Sequence, residues 1–315
     1  MTSHILVATA EDAGRRLDQF LVRRLPDLSR ARVQQLIRGG HVVLARGAAK
    51  PGLIVHAGLA ATVEVPAPAP AEPEAEALPL TVLYEDADLV VIDKPAGMVV
   101  HPAAGHARGT LVNALLHHVQ GLSGVGGALR PGIVHRLDKG TSGTMVVAKH
   151  DAAHRALARQ FHDRAVHKQY VALVWGAVAA GRRLDAPIGR DRHHRTKMSS
   201  RAAHPRAAST TIVSAEPFRG VTLLTITIGT GRTHQIRVHL SELGHPIVGD
   251  TLYGGARPSL PAHLAPLAGL DRPFLHAARL SFAHPRDGAL VSVDAPLPPS
   301  LDQIVTALRQ SASRS

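Results

Sequence analysis

The chain has 315 residues, enough for one large or two ordinary domains. Apolar residues supply 45% of it and aromatics only 3%, so a core here is built mainly from Leu, Val, Ile and Ala. Lys plus Arg number 36 against 24 Asp plus Glu, a net charge of +12 with a pI near 11.0. That excess favours a polyanionic partner, because basic groups beside phosphates release condensed counterions; a generally basic surface is the plainer alternative. With no cysteine, the chain excludes disulfides, Cys-ligated zinc, iron–sulfur clusters and thiol catalysis. No basic-then-apolar leader opens the sequence, and no uncharged apolar run approaches the roughly 18 residues needed to span a bilayer. The expectation is a soluble, cytoplasmic protein without a membrane partner.

In chain order, residues 14–24 place Leu17, Phe20, Leu21 and Arg24 at helical spacing. Ser29 is the expected N-cap of a second helix that carries Val33, Leu36 and Ile37 and stops at Gly39-Gly40. Its other positions include Arg30, Arg32 and Arg38. Guanidinium forks in a row suit phosphate geometry, although an ordinary solvated face has the same composition. Short strands are expected over 41–44, 53–55 and 63–65. The Pro/Ala/Glu run at 66–79 blocks both helix and ladder and reads as a semi-rigid acidic linker. It separates a small module, residues 12–65, from a catalytic-sized remainder, residues 80–305.

Beyond the linker, strands at 81–84 and 89–92 are expected to flank the Glu85-Asp86-Ala87-Asp88 turn, with another at 145–148. Asp151 is the expected cap of a helix bearing Leu157 and Phe161, which leads into a strand at 170–175. Residues 221–228 alternate apolar residues with Thr, as a half-buried strand does. Strands and helices mix without strict alternation, so the fold class is α+β with a mixed, largely antiparallel sheet and flanking helices.

Three segments carry polar chemistry. Asp138 sits in turn-forming residues between the apolar pair Ile133-Val134 and the run 145–148, two residues after Arg136. A carboxylate at such a bend can be held ionised and presented to a cleft, yet an Asp beside an Arg in a loop is more often a structural ion pair. In Gly229-Thr230-Gly231-Arg232-Thr233-His234-Gln235-Ile236-Arg237, a strand ends at a glycine-hinged turn, with Thr233 the expected cap of a helix running to Gly244. Ile236, Leu240 and Leu243 share its buried face, and Arg237 lies beside that stripe. The loop matches neither a P-loop nor a dinucleotide fingerprint. In His167-Lys168-Gln169-Tyr170, a tyrosine enters a strand after a basic pair. It is one of only three in the chain, and reads either as a core aromatic or as a contact to a base.

Together these segments resemble a known family. Gly14-Arg15-Arg16-Leu17-Asp18 with Leu28-Ser29-Arg30-Ala31-Arg32-Val33 is similar to an S4-type RNA-binding module of the αL kind. Pro131-Gly132-Ile133-Val134-His135-Arg136-Leu137-Asp138-Lys139, then Thr141-Ser142-Gly143, resembles the catalytic signature of the RluA-type large-ribosomal-subunit RNA pseudouridine synthases. Asp93-Lys94-Pro95-Ala96-Gly97, the Lys168/Tyr170 strand, the Arg232–Leu240 segment, Gly244-His245-Pro246-Ile247-Val248-Gly249-Asp250 and Leu275-His276-Ala277 fall in that family's order. The resemblance spans about residues 12–65 and 78–305 and points to the S4-bearing branch; Gly140 departs from it, at a position where polar or acidic residues are frequent.

The resemblance implies isomerisation of specific uridines in large-subunit ribosomal RNA by side chains alone: Asp138 as catalytic carboxylate, Arg237 paired with it, and Tyr170 against the uracil. It implies RNA contacts from Arg136, Arg30, Arg32, Arg38, Arg232 and His234. The reaction needs no cofactor, since substrate and product are isomers at one oxidation level. The target must leave its stack, because C1′ and C5 are otherwise shielded. Asp138 then attacks the sugar, attacks the base or removes a sugar proton, three courses the sequence leaves open. The 21 histidines show no His-Glu-x-x-His spacing, so no metal is assigned. RNA is the expected partner and a monomer the default. A non-catalytic RNA-binding or ribosome-assembly factor is the rival function.

Overall fold

The computed structural model of the chain describes residues 2–45, 47–66, 73–102, 106–119, 122, 130–194, 196–257 and 259–313. Its contacts divide the chain into two compact units, Met1–Pro70 and Ala71–Ser315.

The first unit comprises β1 (Thr2–Val7), α1 (Leu17–Arg24), α2 (Arg30–Arg38), β2 (Val42–Leu44) and β3 (Ala60–Val65). Its three strands form an antiparallel sheet in the order β1-β3-β2. Leu17, Phe20 and Leu21 of α1 and Val33, Leu36 and Ile37 of α2 are all buried in one core with Val42, Leu44 and Val63, so the helical spacing of the apolar residues decides which faces pack. The Ser29 side chain accepts from the Arg32 amide at 3.2 Å and caps α2. Asp18, fully buried, joins the two helices by accepting from Arg16, Arg30 and Gln34. The strand expected at 53–55 shrinks to a single bridge between Ile54 and Arg16, because the chain there turns through Pro51-Gly52. Strand β1, in contrast, was not expected: its burial pattern is mostly exposed, so no apolar alternation marks it.

The second unit comprises β4 (Thr81–Glu85), β5 (Leu89–Lys94), α3 (Leu111–His118), β6 (Ser142–Ala148), α4 (Asp151–His162), β7 (His167–Trp175), β8 (Arg183–Leu184), β9 (Gly189–Arg190), β10 (Met198–Ser199), β11 (Thr210–Phe218), β12 (Val221–Ile228), α5 (Gln235–Glu242), β13 (Leu275–Ala283), β14 (Leu290–Asp294) and α6 (Pro299–Ala312). Its main sheet runs β4-β5-β6-β13-β7-β12-β11-β8, with β14 also on β13. Among the described residues only the β6–β13 pair is parallel, so the sheet is mixed and largely antiparallel and the fold is α+β.

Strand β6 is buried along its whole length: Met145 and Val147 enter the core shared with α3, α5 and α6, while Val146 and Ala148 enter the one shared with α4. A continuous apolar run is what a strand covered on both faces requires. Gly143 in this strand has φ +117, and a Cβ there would sit 2.2 Å from the Ala277 carbonyl oxygen of β13, so only glycine permits the pairing.

Two expected caps are displaced by one residue each. Helix α4 is capped by His150, whose Nδ1 accepts from the Ala153 amide at 3.3 Å, with Asp151 as the first helical residue. Helix α5 is entered through His234 rather than Thr233. Of the linker at 66–79, residues 67–72 lie outside the described residues. Residues 73–79 are not a free spacer but are fastened to the second unit: Asn113 of α3 donates to the Glu74 carbonyl at 2.7 Å, and the Glu76 amide donates to the Asn113 carbonyl at 2.9 Å. Among the described residues no helix is long and apolar enough to cross a membrane.

Candidate active site

Asp138 lies on an irregular segment held against the sheet, not between two full strands: Ile133 makes a single bridge to Val147. His135 anchors the segment. Its ring stacks on Phe161 with centroids 4.5 Å apart, and its Nε2 accepts from the Val146 amide at 3.0 Å. Burial, then the nearby Lys168 charge, push the imidazole down to about 3, so it stays neutral and carries its proton on Nδ1. Past Asp138 the chain closes a turn through Thr141 N–H to the Asp138 carbonyl, 3.1 Å, and Arg272 donates to the Gly140 carbonyl at 3.3 Å. Pro273 would lie 3.1 Å from a Cβ at Gly140, so packing braces the position where the sequence departs from the family pattern.

The facing wall comes from the β12–α5 connection. Gln235 pins it: its carboxamide oxygen accepts from the Thr230 hydroxyl at 2.7 Å and the Arg232 amide at 3.1 Å, while its NH2 donates to the Ser209 carbonyl and Thr210 hydroxyl. His234 then adopts φ 56, the left-handed region that a non-glycine residue enters only when its surroundings hold it there. The hold is visible: Nδ1 is 2.8 Å from the Tyr253 hydroxyl, and Nε2 faces Asp138 Oδ2 at 3.9 Å.

Arg237, one turn into α5, donates through Nε and Nη2 to both oxygens of Asp250 at 2.7 and 2.9 Å and through Nη1 to Asp138 at 3.3 Å. Its guanidinium carbon lies 5.0 Å from the centre of the Tyr253 ring. Burial works against its charge, but the two carboxylates outweigh it and hold the guanidinium firmly protonated. Tyr170 of β7 is buried and lines the same pocket as Asp138, Arg136, Arg232, His234 and Arg237. Its phenol is pushed well above the ordinary value by burial first and by the Asp138 charge second, so it remains protonated at neutral pH.

The second unit thus brings together Asp138, Tyr170, Arg237, Arg136, Arg232 and His234. Arg30, Arg32 and Arg38 belong to the first unit, on α2, where Arg30 and Arg38 are exposed and Arg32 is half-buried. Arg30 pairs with Asp18 at 3.0 Å, and Arg32 and Arg38 donate to Gln35 and Gln34 of their own helix.

Three further residues of the site had no role in the sequence reading. Asp250 is fully buried and holds Arg237, while Tyr253 lies beneath the guanidinium and against His234. Both follow Gly249, which has φ +79 and where a Cβ would lie 2.2 Å from the Arg272 carbonyl oxygen, but no spacing in the sequence relates them to Arg237. Lys94, also fully buried, donates to the Pro95 and Met98 carbonyls at 2.8 and 3.0 Å. Burial pushes its ammonium down to about 8 against the pull of Asp138.

Among the described residues the structure gathers one set of potential metal ligands that spacing did not reveal: Asp86, Asp88 and His284, with donor atoms within 4.8 Å of one another. These groups are already partnered. Arg286 and His150 reach Asp88 at 2.7 and 2.8 Å, and Tyr84 and His284 reach Asp86 at 2.7 and 2.8 Å, so the cluster is a closed hydrogen-bond network.

Similarity to known proteins places the chain among RNA-modifying enzymes. Residues 88–242 match the RNA pseudouridylate synthase profile, and residues 15–60 match the S4 domain. The chain is 44% identical over 307 residues, covering 96% of itself and 92% of its relative, to ribosomal large subunit pseudouridine synthase D of Xanthomonas campestris. It is 47% identical over 309 residues, 98% of itself and 95% of the relative, to an uncharacterized RNA pseudouridine synthase of Chloroflexus aurantiacus. The solved structure of human RNA pseudouridylate synthase domain containing 1 is similar at 29% identity and TM-score 0.54, over 75% of this chain and 96% of that one. The chain belongs to the RNA pseudouridine synthase family and is an enzyme of uridine isomerisation.

Proposed function

We propose that the protein converts particular uridines of large-subunit ribosomal RNA to pseudouridine, with Asp138 as the catalytic carboxylate. The observation that carries the assignment is the Asp138–Arg237 contact at 3.3 Å in a pocket also lined by Tyr170. The names of the relatives support the substrate class, and the S4 unit with its exposed arginines supports RNA docking.

The isomerisation breaks N1–C1′, turns the base and joins C5 to C1′, and the C5 proton leaves as N1 gains one. The Asp138 carboxylate supplies the negative charge that the sugar carbon or the base meets, and Arg237 pairs with it and aims it. Three outcomes for that carboxylate remain distinct: attack at C1′, attack on the base, or removal of a sugar proton. Tyr170, with its raised phenol, donates a hydrogen bond and holds the detached ring in plane; a phenol this reluctant to ionise is a poor unaided base for the C5 proton. Arg136, exposed at the mouth of the pocket, fills the space the flipped nucleotide vacates or holds its phosphate. Arg232 and His234 contact the substrate at the pocket, and Arg30, Arg32 and Arg38 contact RNA from the S4 unit. In this reading the protein works as a monomer in the cytoplasm.

The test is incubation of unmodified large-subunit, small-subunit and transfer RNA transcripts with the protein, followed by chemical mapping of pseudouridine. New pseudouridine confined to the large-subunit transcript is expected; modification of another transcript instead would overturn the substrate assignment. The rival function, a non-catalytic assembly factor, leaves all three transcripts unmodified.

A further inference from the structure

A second cavity, of about 550 Å³, adjoins the pocket around Asp138 and shares Arg136, Tyr170 and Arg232 with it. Five cations line it, Arg130, Arg136, Arg164, Lys168 and Arg232, and no Asp or Glu does. None of the five has a carboxylate partner among the described residues. Its floor is the neutral His135–Phe161 stack, with the Lys168 ammonium 5.9 Å from the centre of the Phe161 ring.

Lys168 is the telling residue. The residue is only 9% exposed, and no hydrogen-bond acceptor among the described residues reaches its ammonium. Lysines are rarely this buried unless paired, and here the ammonium has only the cavity to face. Burial and the neighbouring Arg164 both work against its charge. Lys94 shows the contrast within the same protein: it is fully buried, with two carbonyls on its ammonium. Lys168 and Tyr170 are two apart on β7 and face the same side of the sheet, so their Cα atoms are separated by about 6.6 Å along the strand. The unpartnered charge is therefore next to the group placed against the reacting uracil, in a cavity whose charges all have one sign.

We infer that this cavity is an anion site that takes a phosphodiester of the RNA strand beside the flipped uridine, with Lys168 as its central contact and Arg164 and Arg130 at its rim. The inference rests on the proposed RNA substrate. A phosphate oxygen supplies the acceptor that Lys168 lacks, and the exposed arginines add bidentate contacts. Phosphate contacts fix register rather than sequence, so the site sets how the strand lies and not which base is chosen. His135 contributes by staying neutral: its Nε2 accepts from Val146, so the floor packs beside the cations without adding another charge.

The experiment compares wild type with Lys168→Met, Lys168→Arg and Arg164→Gln on large-subunit RNA. Filter retention gives the affinity at several salt concentrations, and single-turnover assays give the plateau rate at saturating protein. Lys168→Met is expected to weaken RNA binding on the order of 10-fold or more, and to lower the slope of log K against log salt by about one, the signature of one lost phosphate contact. Lys168→Arg recovers most of the affinity, and Arg164→Gln, at an exposed position, shows a smaller loss in the same direction. Unchanged affinity and slope in Lys168→Met, or a fall in plateau rate with affinity intact, would overturn the anion site. Failure of the uridine-isomerase reading looks different: wild type then forms no pseudouridine at all, while the binding and salt measurements still decide the role of Lys168.

Discussion

Asp250 accepts two N–H groups of Arg237, at 2.7 and 2.9 Å, and leaves Nη1 as the nitrogen that reaches Asp138. Asp250 Oδ1 also accepts from the amides of Leu252 and Tyr253, so the carboxylate is itself fixed by its own turn. A fork held on two prongs has little freedom left in the third, and this makes Asp250 a positioning residue for Asp138.

Replacing Asp250 with Asn turns one acceptor into an NH2 that faces a guanidinium N–H, so Arg237 must rotate. The expected result is a loss of single-turnover rate on the order of 100-fold, the effect of a misplacement near 1 Å. RNA affinity should stay within about twofold, and Asp250→Glu should not rescue the rate, because the longer side chain moves the fork. An unchanged rate in Asp250→Asn, measured with RNA at saturation, would contradict the positioning role.

Lys94 makes a prediction about pH. Its folded value of about 8 lies below the ordinary 10.5, so between these the unfolded chain binds a proton that the folded chain does not. Stability from this group is therefore complete above pH 10.5, falls as pH drops towards 8 and is constant below. The slope is up to about 1.4 kcal/mol per pH unit. The buried phenols of Tyr170 and Tyr253, pushed up by burial, act in the opposite sense only above pH 10. Urea unfolding between pH 8 and 10 should thus show wild type gaining about 2 to 3 kcal/mol relative to Lys94→Met. A difference independent of pH would refute the account.

In the S4 unit, Asp18 ties α1 to α2. Burial raises its carboxyl, but hydrogen bonds from Arg16, Gln34 and Arg30 outweigh this and hold it at about 2. Its contribution is present above the ordinary value near 4 and is lost as pH falls towards 2. Asp18→Ala should destabilise this unit by about 1–3 kcal/mol, since Arg16 and Arg30 are half exposed and can be rehydrated. Hydrogen exchange of full-length protein would show it as faster exchange confined to residues 1–66; unchanged exchange there contradicts the brace.

Much of this was legible in the sequence because it obeys local rules. The helical spacing of Leu17, Phe20, Leu21, Val33, Leu36 and Ile37 places them in one core, and the run around Met145 marks a strand covered on both faces. Asp138, Tyr170 and Arg237, from a loop, a strand and a helix, meet in one pocket, as the resemblance implied. What stayed hidden depends on distance in the chain. Asp250 and Tyr253 matter only through Arg237, 13 and 16 positions away, and Lys168 matters only because no acceptor reaches it in three dimensions. The cap of α5 was misplaced for a related reason: Thr233 has the better capping side chain, but the Tyr253 hydroxyl holds His234 in the left-handed conformation that starts the helix.

The central claim is that the Asp138 carboxylate carries the chemistry and the remaining residues bind and aim. Asp138→Asn keeps the shape and removes the charge. With large-subunit RNA and excess protein, the account predicts RNA affinity within a few-fold of wild type and no pseudouridine above background at any site the wild type modifies. Pseudouridine at those same sites, formed by the variant at a rate near that of wild type, would contradict it.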